Sequence, residues 1–259
     1  MHPNIAPQDA TFIPIHAISS AEWPAYLEGK SSAQAALAGH QDFRAQAGRV
    51  LVIPAPDGGL ERVLFGLGAG TDTSVYGALA SKLPAGDYRI ASPLAKEQGH
   101  AILVAYLLGA YVFDRYKRKD PRLARLIAPA GADVEAASRT VAAVKLGRDL
   151  VNTPPNDMGP DALEATAVAL GESHGAEIEV IRGAELLAQN YPLIHAVGRG
   201  AAQDPRLVVL RIGRPDAYPL ALVGKGVTFD TGGLNLKPGA GMALMKKDMG
   251  GAACALALF

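Results

Sequence analysis

The chain has a single cysteine, Cys254, in 259 residues. No internal disulfide can form and no cysteine-built zinc knuckle is possible, which fits a reducing compartment and predicts a cytoplasmic protein. An excess of either charge is also missing, since 25 Lys and Arg balance 25 Asp and Glu. Attraction to a polyanion or an anionic lipid surface has no global source, so neither nucleic acid nor membrane is expected as a partner. The opening MHPNIAPQDATFIPIHA lacks the basic, apolar and small-residue succession of a secretory signal. The longest apolar run, 101–113, is shorter than the roughly 20 residues a membrane-spanning helix needs and is interrupted by Gly109. It reads as a buried core helix, with Lys117, Arg118 and Lys119 set against its negative pole. His2, His16, His40, His100, His174 and His195 are scattered without an HExxH or other zinc spacing, and each reads as an ordinary surface or core histidine.

What is present is 49% hydrophobic residues, which excludes general disorder and can build two domains. The pattern predicts a helix over 33–47, strands over 49–56 and 61–68 across Asp57, Gly58 and Gly59, and helices over 74–83 and 99–117 around a strand at 88–91. A further strand at 125–131 completes a small N-terminal α/β domain, 1–132. A linking helix, 133–152, is stopped by the tandem prolines of NTPPNDMGP. Beyond it, 153–259 predicts a helix from Pro160 to about 173, strands at 177–181, 193–198, 206–212 and 220–226, and a short helix at 183–189. This is the pattern of an α/β domain with a mainly parallel sheet. The last segment, MKKDMGGAACALALF, starts as a helix and reaches Phe259 without a capping glycine, so the second domain is expected to be incomplete at its C-terminus. Cys254 falls on that apolar helix and is expected to be buried filler.

Chemistry concentrates in 223–251, VGKGVTFDTGGLNLKPGAGMALMKKDMGG, where Lys225, Asp230, Lys237, Lys246, Lys247 and Asp248 stand among eight glycines. Glycine-rich loops after strands are where open α/β folds place ligands. A P-loop is excluded, because Lys225 is followed by Gly226 and no GxxxxGK[ST] frame is near. Asp230 and Asp248 suit a divalent cation as oxygen ligands, though two Asp residues in a loop are also common caps and turn formers. Lys225, directly after the apolar LALVG, is expected to be partly desolvated and pushed toward the neutral amine, which can bind metal.

The stretch 223–251, together with RDLVNTPPNDMGP at 148–160, resembles the leucyl aminopeptidase family, the cytosol aminopeptidases of peptidase family M17. The resemblance implies a hexameric exopeptidase that uses two divalent metal ions, zinc or manganese, and an activated hydroxide to remove N-terminal, leucine-like residues from peptides. By the same resemblance Lys225, Asp230 and Asp248 are metal ligands, with Asp230 touching both ions. Lys237 is the catalytic lysine that donates to the substrate carbonyl, and Met245 lines the pocket for the first side chain, core packing being its other reading. Lys246 and Lys247 match no role, FDTGG replaces the commoner FDSGG, and Ala243 and Leu244 stand where many relatives carry acidic residues. The family's remaining ligands, in an NTDAEGR-like motif, would lie past Phe259. The activity is therefore expected of the complete protein, and the 259-residue chain alone is expected to be inert. The competing reading is a non-catalytic truncated paralogue, or a DNA-binding or scaffolding member of the family.

Overall fold

The computed structural model describes residues 2–118, 124–214, 216–231 and 235–259. They form two compact units, Met1–Ala142 and Ala143–Phe259. The first runs β1 (Ile5–Ala6), β2 (Ile13–Ser19), α1 (Trp23–Glu28), α2 (Ser32–His40), β3 (Val50–Pro54), β4 (Leu60–Gly68), a 3-10 turn (Thr73–Ala78), α3 (Leu79–Lys82), β5 (Gly86–Ile90), α4 (Gln98–Gly109) and β6 (Ala124–Ile127). Its six strands make one sheet in the order β1-β6-β5-β2-β4-β3. Every pairing is parallel except the β3–β4 hairpin.

Alternation along β4 shows why this sheet is covered on both faces. Val63 and Phe65 belong to a core with Ile15, Tyr88, Ile102, Leu103 and Tyr106. Leu64, one residue out of phase, belongs to a separate core with Trp23, Phe43, Leu51 and Ile53. A stretch buried on both faces, as 63–66 is, belongs inside a sheet, and β4 lies between β2 and β3.

The second unit holds most of α5 (Val134–Asn152), within which the boundary falls, then α6 (Pro160–Ser173), β7 (Glu177–Arg182), α7 (Glu185–Ala188), α8 (Pro192–Gly198) and β8 (Arg206–Arg211). It continues through α9 (Gly239–Met242), a 3-10 turn (Met245–Lys247) and α10 (Gly250–Leu258). Strands β7 and β8 pair antiparallel, from Glu177 opposite Arg211 to Arg182 opposite Arg206. Gly171 of α6 lies against Ile178 and Leu210 of that pair. Leu150, Met158, Met249 and Ala253 form a small core, joined by Leu146, Leu163 and Leu256, that packs α5, α6 and α10 together. The α/β class holds in both units, and the mainly parallel sheet is that of the first.

Several sequence expectations need correction. The first predicted helix ends at His40 instead of 47, because Asp42 and Ala45 take left-handed backbone angles, φ 46° and 57°, that no helix continues through. The apolar helix α4 is buried as expected through Ile102, Leu103, Tyr106 and Leu107 but ends at Gly109. Tyr111, Val112 and Phe113, which follow, are weak helix formers. Lys117 and Arg118 therefore do not sit at its negative pole, and Lys119 lies outside the described residues. The predicted strand at 193–198 is helix α8, started by Pro192 in its first turn. The predicted strand at 220–226 is irregular, with Leu220 and Val223 85% and 94% exposed and no strand beside it among the described residues. Cys254 is exposed on α10 instead of buried. Among the described residues no helix is long and apolar enough to cross a membrane.

Candidate active site

The site is built by the two ends of the glycine-rich stretch meeting at the start of α10. An α-helix leaves its first amide N–H groups without partners inside the helix, and here the Ala252 N–H donates to the Lys225 carbonyl at 2.9 Å. The approach needs small residues on both sides. A Cβ on Gly224 would lie 2.5 Å from the Ala252 Cα, and one on Gly251 would lie 3.0 Å from the Lys225 nitrogen. Two of the motif's glycines thus act as spacers that let one backbone lie on another. They bring Lys225 to the helix start that Asp248 precedes by two positions.

Asp248 is held from its C-terminal side by Met249, which is fully buried in the core with Leu150 and Ala253. Its side chain remains 18% exposed, 3.5 Å from the Lys247 ammonium. Lys237 and Asp230 form an ion pair at 2.7 Å, and the Lys237 amide donates to the Thr231 carbonyl at 3.2 Å. Met245 is buried in the 3-10 turn. Lys225 is exposed, so the desolvation expected of it is absent. Among the described residues no strand forms at 220–226 to cover its stem.

The amine of Lys225 and the carboxylates of Asp230 and Asp248 are nitrogen and oxygen donors of the types zinc and manganese accept. All three side chains reach solvent, so an ion has access to them. As donor types they suit such an ion. Among the described residues no group of three or more His, Cys, Asp or Glu side chains could hold a metal by itself.

Sequence reasoning missed two features. Lys246 donates from Nζ to the Asn152 carbonyl at 3.2 Å, at the C-terminal end of α5. The proline pair after that helix was the available signal, since it leaves helix-end carbonyls short of donors. The second is an ion network. Glu164 accepts Arg182 Nε at 2.9 Å and Arg206 Nη1 at 2.7 Å on Oε2, and Arg182 Nη2 on Oε1. The two guanidiniums, Arg182 first, hold the Glu164 carboxyl below its ordinary range against the opposing effect of burial. With Asp161, Gln203 and Asp204 these residues line a polar cavity of about 440 Å³, which includes none of the sequence-predicted site residues.

Known proteins resemble the chain across both units. Residues 145–259 match the cytosol aminopeptidase family, catalytic domain, and residues 13–129 match the M17 aminopeptidase, N-terminal domain. A probable cytosol aminopeptidase of Rhodopseudomonas palustris (strain BisA53) is 36% identical over 244 residues, covering 83% of this chain and 49% of that protein. One from Geobacter sp. (strain M21) is 41% identical over 195 residues, 70% of this chain and 38% of the relative. The chain thus spans about half the length, or less, of the curated relatives it matches. Among solved structures, the cytosol aminopeptidase of Coxiella burnetii superposes with a TM-score of 0.85 at 35% identity, covering 96% of this chain and 55% of that one. The bottromycin maturation enzyme BotP in complex with Mn gives 0.74 at 31% identity, with 96% and 55% covered. On these grounds the chain belongs to the cytosol aminopeptidase family, peptidase family M17.

Proposed function

We propose that the complete protein is a metal-dependent aminopeptidase that removes N-terminal, leucine-like residues from peptides. The observation that carries this reading is the seating of Lys225 on the start of α10 beside Asp248, within a segment that matches the family's catalytic domain. In this reading Lys225, Asp230 and Asp248 hold divalent metal, zinc or manganese, with Asp230 shared between two ions. Metal bound there supplies Lewis-acid polarisation of the scissile carbonyl and a nucleophile at neutral pH.

The chain's own residues do the rest. Lys237 donates a charged N–H to the oxygen on which negative charge develops, an interaction that strengthens in the transition state. Its partner Asp230 holds the ammonium in place through an ion pair at 2.7 Å. Lys225 would act as a ligand through its neutral amine, so metal binding there displaces a proton. Met245 offers an apolar, deformable wall to the first side chain of the peptide. A homo-hexamer acting in the cytoplasm on peptides, without nucleic acid or membrane, completes the reading. Residues 1–132 form its N-terminal domain, 133–152 the linking helix and 153–259 the first part of its catalytic domain.

The test compares Leu-amide with N-acetyl-Leu-amide on the complete gene product supplied with manganese. Release of ammonia from the free amine alone is expected, because the α-amine is what the metal anchors. Equal cleavage of both, or of neither, refutes the reading.

A further inference from the structure

The family motif at 148–160 and the glycine-rich stretch at 223–251 are separated by more than sixty residues, and one side chain joins them. Helix α5 ends at Asn152, and the following Thr153, Pro154 and Pro155 decide how its last carbonyls are satisfied. The Thr153 N–H and hydroxyl both turn back to the Asp149 carbonyl, at 3.0 and 2.6 Å. The two prolines have no N–H to give. Further along, the Asp157 and Met158 amides both donate to the Pro154 carbonyl. The Asn152 carbonyl receives its donor from a distant part of the sequence, the Lys246 ammonium at 3.2 Å. A cation there also complements the negative end of the 19-residue helix.

Lys246 sits in the middle of the turn Met245–Lys247, between the residue assigned to the substrate pocket and Asp248, assigned to metal. Among the described residues the turn is also held by the burial of Met245 and Met249 and by short-range bonds within itself, such as that from the Asp248 amide to the Met245 carbonyl at 3.0 Å. Apolar burial fixes depth but not rotation about the turn axis. A directed charge-assisted bond to a rigid helix end fixes both. We propose that Lys246 is a positioning residue. It tethers the 245–248 turn to the C-terminus of α5, and so sets where the Asp248 carboxylate and the Met245 side chain stand. The proposal rests on the aminopeptidase reading for its functional consequence, while the tether itself does not.

The experiment uses wild type, Lys246→Met, which keeps stem length and removes the donor, and Lys246→Arg, which restores a cationic donor. Hydrogen exchange by mass spectrometry on the 259-residue chain reads the tether directly. Lys246→Met is expected to speed exchange of the 245–252 amides about tenfold, as for loss of one charge-assisted bond, with peptides from 13–129 unchanged and Lys246→Arg close to wild type. In the complete gene product, Lys246→Met is expected to raise the manganese concentration for half-maximal Leu-amide hydrolysis about tenfold and to lower kcat, again with rescue by arginine. Unchanged exchange in Lys246→Met overturns the tether. Altered exchange with wild-type metal dependence and kinetics overturns its positioning role. A wild type inactive on Leu-amide refutes the aminopeptidase reading instead, and the exchange comparison then decides the tether alone.

Discussion

Glu164→Gln is the sharpest perturbation available in the second unit, because it changes one atom's chemistry in a side chain that is only 10% exposed. The carboxylate takes hydrogen bonds from Arg182 on both oxygens and from Arg206 on one. Glutamine keeps one acceptor and turns an NH2 toward a guanidinium that can only donate. Arg182 is half exposed and can turn to water, so its loss counts for little. Arg206 is 9% exposed and cannot turn out, but it retains Asp161 at 2.5 Å and the Asp204 carbonyl at 2.6 Å. The net effect is that of one hydrogen bond to a charged group at the low end of its range, about 1.5 to 2 kcal/mol. Exchange of the β7 and β8 amides, which α6 covers, should therefore speed about 10- to 30-fold at pH 7.

The pH dependence adds a second check. The folded-state pKa of Glu164 lies below its ordinary value of 4.5, so its stabilisation is complete above about pH 4.5 and fades as pH falls through the folded value. Glutamine does not titrate. After correction for intrinsic rates, the gap between wild type and Glu164→Gln should be full at pH 7 and narrow toward pH 3. A gap that stays constant over that range, or is absent at pH 7, refutes the argument.

Gly224→Ala should force the Lys225 backbone off α10 and destabilise the second unit by about 1 to 3 kcal/mol, seen as faster proteolysis within 143–259 while 13–129 stays resistant. Tyr106→Phe removes a buried hydroxyl that donates to the Ala124 carbonyl at 2.8 Å, and should lower first-unit stability by about 1 kcal/mol, with Trp23 fluorescence in urea as the monitor. Lys237→Ala in the complete protein should lower kcat by a factor on the order of 100 to 1,000 with manganese content unchanged. Loss of metal together with activity would make Lys237 a ligand instead.

Local signals proved legible where the physics was local. Asp57, Gly58 and Gly59 announced the turn between β3 and β4, and Pro160 announced the start of α6. The helix end at His40 was not legible, because it depends on left-handed angles at Asp42 and Ala45, residue types that do not advertise them. LALVG has the composition of a strand, but a strand is defined by a neighbour's hydrogen bonds, and composition cannot report whether a neighbour is there. Family resemblance pointed to Lys225 and Asp248, and the structure supplied the reason for the glycines beside them. The Glu164 network joins residues 18 and 42 positions apart, and no periodicity marks such a pairing.

The bond between Lys225 and α10 is made by the lysine's carbonyl, while any metal chemistry would belong to its amine, six bonds further out along the side chain. Placement and reactivity are thus carried by different parts of one residue. Replacing the side chain at 225 leaves the carbonyl where it was, so the loop stays docked while the donor changes. Methionine, glutamine or histidine at that position would sample thioether, amide or imidazole ligands at one fixed backbone location.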